Sequence, residues 1–359
     1  MADFFEIDFL DVECKKSGDA ITMRYSKNGA ESIHVIDGGF VSTGDSVVNH
    51  IKKYYGGNAR VSRVIVTHPD RDHAGGLRAV LEQLEVGELW MLRPWLYSEE
   101  LMERFKRWTN VDNLTKRLKE IYPNIAALEE IALDKNIPIY EPFQGSNIGE
   151  FRVLAPSKDS YLNLVSESEK TPETITEAQF SEKSSSLSQV FDSLVKFIKA
   201  AWGDENLSSQ PTSNENEMSV VQFAEIDNQT IMLTGDAGKI TLTEAINYLE
   251  GMYGYLPKID RFQVPHHGSR RNVSSEILDR LFGKKIGEYE SRDKFTAVIS
   301  SAKEDEDHPR KAVIRAFHHR GAKVIATEGK TVCCSSRNAP QREGWSAVTP
   351  MDYPNDQEE

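Results

Sequence analysis

The chain has 359 residues, 39% of them hydrophobic, with 43 Lys and Arg against 56 Asp and Glu and a formal net charge of −13. That length holds one large α/β domain or two small ones with a full core, and the acidic balance excludes a bulk surface built as a basic nucleic-acid footprint. No basic-then-apolar leader and no run of about 18 apolar residues occurs, so neither a secretory signal nor a membrane span is expected.

In chain order, residues 4–12, 20–25 and 33–37 read as short strands separated by Gly- and Asn-containing turns. A helix is expected over 45–55, a strand over 61–67 and a second helix over 73–84, where Leu77, Val80, Leu81 and Leu84 form the apolar stripe. A strand over 88–92 follows, then helices over 98–109 and 111–136 broken near Pro123, then strands over 137–140 and 151–154. After residue 218 the pattern gives helix 239–252, strand 259–264, helix 273–283, strand 295–300, helix 309–320 and strands 322–327 and 330–335. Strands with helices between them imply sheets covered by helices.

Residues 159–217 break this rhythm. They carry eleven acidic and four basic side chains and are rich in Ser, Thr and Asn, with one amphipathic helical pattern over 190–202. They read as an acidic, partly helical insertion, either a surface segment or a lid over a site. The chain thus divides into an N-terminal half (1–158), the insertion (159–217), a C-terminal half of the same domain (218–337) and an acidic tail (338–359) expected to be mobile. The three cysteines, Cys14 and the adjacent Cys333-Cys334, cannot form a disulfide framework. They suggest reduced thiols and a cytoplasmic setting, and the pair is expected on a buried strand.

The densest chemistry lies in Thr67-His68-Pro69-Asp70-Arg71-Asp72-His73-Ala74-Gly75-Gly76, four potential metal ligands at the end of an apolar strand. Nitrogen and oxygen ligands together suit zinc, iron or manganese. Similar strand ends recur at Ile36-Asp37-Gly38-Gly39, Leu233-Thr234-Gly235-Asp236 and Val264-Pro265-His266-His267-Gly268-Ser269. A site assembled from loops at one sheet edge needs this recurrence.

In this order the motifs resemble the metallo-β-lactamase superfamily, and most of all the hydrolase domain of ComEC-type DNA-uptake proteins. Phe9-Leu10-Asp11-Val12, Ser17-Gly18-Asp19-Ala20, residues 216–219 and His308-Pro309 add to the likeness, which spans about residues 5–335. The resemblance implies a four-layer αββα sandwich with its metal site at one edge between two sheets. It implies His68 and Asp70 on one divalent cation, Asp72, His73 and one of His266 and His267 on another, and Asp236 bridging them. Asp37 would orient the ligands from behind. Two departures stand out: Asp70 replaces the second histidine of many members, and no histidine lies between His73 and His266. Asn216 lies near the missing position and would ligate weakly or through water. More oxygen ligands move the preference from zinc towards manganese and allow one ion instead of two.

Around this core, Ser269, Arg270 and Arg271 are candidates for holding a substrate phosphate. His308 is a candidate general acid, beside Asp72 and Asp236. His318 and His319 read as surface residues on the amphipathic helix. The leading expectation is a phosphodiesterase or nuclease using a metal-bound hydroxide, with nucleic acid or a phosphoester as its partner. The alternatives are a small-molecule ester, lactone or thioester hydrolase, or a non-catalytic sensor keeping the fold.

Overall fold

A computed structural model describes residues 3–12, 15–105, 108–171 and 196–359. The first-half strands are β1 (Phe4–Phe9), β2 (Ala20–Lys27), β3 (Ala30–Gly38), β4 (Val61–Ile65), β5 (Val86–Trp90), β6 (Ile139–Tyr140), β7 (Asn147–Ile148) and β8 (Phe151–Ala155). The rest are β9 (Phe197–Lys199), β10 (Val221–Ile226), β11 (Gln229–Leu233), β12 (Arg261–Gln263), β13 (Phe295–Ile299), β14 (Ala322–Ala326), β15 (Val332–Ser335) and β16 (Asp356–Glu358). They form two seven-stranded sheets, β15-β1-β2-β3-β4-β5-β6 and β14-β13-β12-β11-β10-β8-β7, and a two-stranded ribbon β16-β9.

Helices α1 (Gly44–Tyr54), α2 (Arg71–Ala74), α3 (Leu77–Gln83), α4 (Ser98–Arg104), α5 (Val111–Ile121), α6 (Pro123–Asp134) and α7 (Lys158–Glu167) belong to the first half. They are followed by α8 (Asn214–Glu217), α9 (Lys239–Tyr253), α10 (Ser275–Phe282) and α11 (Lys311–His318). Side chains alternate across a strand, and β11 shows what this does. Ile231 and Leu233 pack into the core shared with the first sheet, while Met232 packs with Leu242, Ile246 and Phe262 on the helix side. Both faces of the sheets are therefore buried, which explains the near-continuous apolar runs. The result is the mixed α/β, helix–sheet–sheet–helix arrangement of a metallo-β-lactamase fold.

Two local expectations need correction. The helix expected over 73–84 is two helices, split at Gly75-Gly76, because Gly76 lies against the turn after β3. Its N–H donates to Gly39 O at 2.9 Å, and a Cβ there would come within 2.0 Å of Gly38 O. Of the helix expected over 190–202, residues 190–195 lie outside the described residues; Phe197–Lys199 is a strand paired with β16, so tertiary pairing overrides the helical period. Residues 159–171 are likewise packed, with Tyr161, Leu162, Leu164 and Val165 of α7 buried. Cys334 is buried on β15, as the strand expectation required, and Cys14 lies outside the described residues.

The tail, expected to be mobile, is tied to the body at both ends. Glu358 is buried and accepts the Lys311 and Ala312 N–H groups at 2.8 and 3.0 Å, capping α11. Arg342 grips Asp8 of β1 with two bonds of 2.7 and 2.8 Å, and Tyr55 and His50 complete the cluster around that carboxylate. Burial alone would raise the Asp8 carboxyl, but hydrogen bonds from His50 and Arg342 outweigh it and hold it at about 2, below its ordinary 3.8. A depressed folded-state pKa stabilises above the unfolded value and loses that contribution as pH falls. Wild-type protein is expected to lose about 2 kcal/mol from this group between roughly pH 4 and pH 2. Urea unfolding across that range checks it, with Asp8→Asn expected to show a shallower acid slope.

Candidate metal centre

The carboxyl ends of parallel strands β3, β4, β11, β12 and β13 meet at one edge between the sheets, the usual place for a site in an open α/β sheet. Asp37 is the last residue but one of β3, with a φ of 57°. Its Oδ1 accepts Thr67 N at 2.8 Å, and its Oδ2 accepts Thr67 Oγ1 at 2.5 Å and His73 Nδ1 at 2.7 Å. That bond fixes the His73 tautomer, so Nε2 is unprotonated in the neutral ring and turns to Asp236 Oδ1 at 3.2 Å. Thr67 gives its proton to Asp37, so His68 Nδ1 donates to Thr67 Oγ1 at 3.1 Å and leaves His68 Nε2 bare. His267 Nδ1 donates to Ser300 O at 2.9 Å, with the same consequence.

His68 Nε2, His73 Nε2, His267 Nε2 and Asp236 Oδ1 are all buried and make no hydrogen bond. Asp236 itself is 2% exposed, its backbone pinned by Ser219 Oγ at 3.2 Å and Asn272 Nδ2 at 2.8 Å. Unpartnered buried polar atoms are costly and need an explanation. Convergence of bare imidazole nitrogens on one carboxylate is the donor set a divalent cation takes. Groups able to hold an ion include Asp72, His73 and His267, and Asp19, Asp236 and His267. Burial alone would raise the Asp236 carboxyl, but the His73, His266 and His267 rings hold it well below the usual range. Desolvation would lower His73 and His267, yet Asp236 above all raises both, His267 to about 9.

Other expected residues take separate places. Asp70, at the N-cap position of α2, pairs its carboxylate with Lys170 at 2.7 Å and makes no capping bond. Asn216 sits 2.6 Å from His266 Nδ1 and holds that ring. His308 stacks on His266, with ring centroids 5.4 Å apart, and its Nδ1 lies 3.5 Å from Asp305 Oδ2. Ser269 is buried, its Oγ accepting Arg271 N; Arg270 donates to Glu359 O at 3.0 Å, while Arg271 is exposed. His318 and His319, expected at the surface, are buried, and His319 bonds Glu205 and Tyr353 at 2.9 Å each.

Two contributors lie outside the candidate site residues. Asp19 is 1% exposed; Gln263 Nε2 donates to its Oδ2 at 2.9 Å, and its Oδ1 is unpartnered beside the cluster. Its signal is the Gly18-Asp19 turn, where a Cβ on Gly18 would meet Asp72 O at 2.7 Å. Lys170 carries no sequence signal. It lines a cavity of about 350 Å³ with Asp70, Arg71, Asp72, Tyr122 and Asn124, directly beside the cluster.

A two-sheet sandwich with an Asp/His cluster at its strand ends is consistent with a metallo-β-lactamase fold carrying a candidate metal centre. Residues 28–136, which carry Asp37, His68, Asp72 and His73, match the family model of the metallo-beta-lactamase superfamily. No curated protein matches the chain. Among solved structures it is similar to a possible metal-dependent hydrolase from Veillonella parvula DSM 2008, at 10% identity over 92% of this chain and 99% of that one, TM-score 0.37. It is similar to Igni18, a metallo hydrolase from the hyperthermophilic archaeon Ignicoccus hospitalis KIN4/I, at 11% identity over 92% and 98%, TM-score 0.36. A beta-lactamase domain protein from Burkholderia ambifaria is 12% identical over 68% and 66%, TM-score 0.31. No helix among the described residues is long and apolar enough to cross a membrane.

Proposed function

We propose that the chain is a metal-dependent phosphodiesterase whose centre is built on Asp236. The observation that carries this reading is the set of buried, unpartnered His68, His73 and His267 nitrogens around that carboxylate. His68, His73, His267, Asp72 and Asp236 would hold zinc or manganese, since the set has nitrogen and oxygen but no sulfur. A bound divalent cation supplies Lewis acidity towards a phosphoryl oxygen and makes water a nucleophile near neutral pH. The residues do the rest. Asp37 and Thr67 keep the imidazoles in one tautomer, and Asp72 takes the proton from the attacking water. As the new P–O bond forms and the bond to the leaving alcohol breaks, His308, aligned by Asp305, gives that oxygen a proton.

Lys170 and Arg71 beside the cavity favour an anionic substrate. Lys170 has three donors, of which Asp70 takes one. Lys170→Ala is expected to lower kcat/KM for a phosphodiester about tenfold, the size of one charge-assisted hydrogen bond; steady-state kinetics checks it. The resemblance to ComEC-type proteins favours single-stranded nucleic acid as the substrate. The second reading, a small phosphodiester, is favoured by the cavity's limited volume and by its mixture of Asp and Lys/Arg. A labelled oligonucleotide and bis-p-nitrophenyl phosphate, each with Mn²⁺ or Zn²⁺, separate the two. Cleavage of the small ester alone selects the second, and cleavage of neither by metal-loaded protein sinks both.

A further inference from the structure

The two adjacent histidines do not share one task. Asp236 Oδ1 faces His73 Nε2 at 3.2 Å and His267 Nε2 at 3.9 Å, whereas its Oδ2 faces His68 Nε2 at 3.7 Å and His266 Nε2 at 3.8 Å. Each carboxylate oxygen therefore has its own pair of imidazoles. Asp72 Oδ2 lies 3.9 Å from His267 Nε2 and joins the first of these pairs. The backbone makes the division possible: His266 (φ 48°, ψ 52°) and His267 (φ 54°, ψ 21°) are both left-handed, with ring planes 88° apart. Non-glycine residues held there cost on the order of 1–3 kcal/mol each, strain that concentrates at functional sites.

A second observation concerns His266 alone. Its Nδ1 lies 2.6 Å from Nδ2 of the Asn216 amide, whose nitrogen and oxygen exchange places by a flip of the side chain. With the amide oxygen turned to the ring, Nδ1–H donates to it and His266 Nε2 is left bare towards Asp236 Oδ2, 3.8 Å away. This is the same device that Asp37 applies to His73 and Ser300 to His267. Asp70, meanwhile, is engaged by Lys170.

We infer that His266 supplies the imidazole missing from the stretch between His73 and His266. His68, His266 and Asp236 Oδ2 then hold one divalent ion, and His73, His267, Asp72 and Asp236 Oδ1 hold a second. Asn216 is the positioning residue of His266. The inference rests on the metal-centre reading above but not on the substrate.

Metal counting tests it without any assay of activity. Stripped wild-type protein equilibrated with excess Mn²⁺ is expected to take two ions per chain, with the spin-coupled spectrum of a bridged pair in electron paramagnetic resonance. His266→Ala is expected to take one ion and give an uncoupled spectrum. Asn216→Ala, which keeps every ligand, is expected to weaken one ion about 10–100-fold, as loss of an orienting partner does. Wild-type protein with one ion, or His266→Ala with either two ions or none, overturns the inference, as does Asn216→Ala with wild-type affinity for both. Protein that binds two ions yet hydrolyses no phosphoester overturns the substrate reading alone.

Discussion

Replacing Asp236 by Ala is expected to lower phosphodiester hydrolysis by at least about 10³-fold, the upper range for removing one preorganised electrostatic group. The loss has two sources. Asp236 is the carboxylate on which four imidazoles converge, so its removal takes a ligand from any ion held there. It also leaves His73 Nε2 with no carboxylate facing it, while Asp37 still holds the other side of the ring. The fold should survive, because Ser219 and Asn272 hold the backbone of this residue through its N–H and C=O. Kinetics and metal analysis on folded Asp236→Ala protein check both parts. Hydrolysis within tenfold of wild type would mean that the centre is elsewhere.

The second large effect is on stability, away from the Asp236 cluster. Glu205 lies in the stretch read as an acidic insertion, a surface segment or a lid, and its side chain is only 2% exposed. It accepts from Arg320 Nη1 and Nη2 at 2.9 and 3.0 Å, from His319 Nδ1 at 2.9 Å and from Ser275 Oγ. Burial alone would raise its carboxyl, but the His319 and Arg320 hydrogen bonds hold it well below the usual range. Arg320 is fully buried, so Glu205→Ala leaves a guanidinium with Asp279 as its remaining carboxylate. Breaking a buried pair by deleting one partner costs about 3–5 kcal/mol, against about 1 kcal/mol or less for an exposed pair. Glu205→Ala is therefore expected to lose about 3 kcal/mol in urea unfolding, and Glu205→Gln less. A loss within about 0.5 kcal/mol would contradict the packing described for residues 196–210.

The candidate site was largely legible in the sequence because its parts sit in short motifs at strand ends. Asp37, His68, Asp72, His73, Asp236, His266 and His267 all come together at the expected edge. Asp70, placed beside His68 by the resemblance, meets Lys170 with its carboxylate, a hundred residues later. Asp19 carries only a Gly-Asp turn as its mark, and Lys170 sits among Ser and Glu with no periodic context. The sheets were readable from apolar runs and their spacing. The β9–β16 ribbon was not: Phe197–Lys199 has an exposed, helix-compatible pattern, and only pairing with β16 makes it a strand. His318-His319 looked like the polar side of an amphipathic helix, but Trp202, Glu205 and Tyr353 from distant segments cover them.

Hydrolysis of bis-p-nitrophenyl phosphate by protein stripped with a chelator and then titrated with Mn²⁺ or Zn²⁺ tests the assignment of the centre most directly. The stripped protein is expected to be inactive, and activity should rise in step with the ions bound and saturate when the Asp236 centre is filled. Full activity in the stripped protein, or none in protein shown to carry its ions, would contradict a metal-dependent phosphodiesterase built on Asp236.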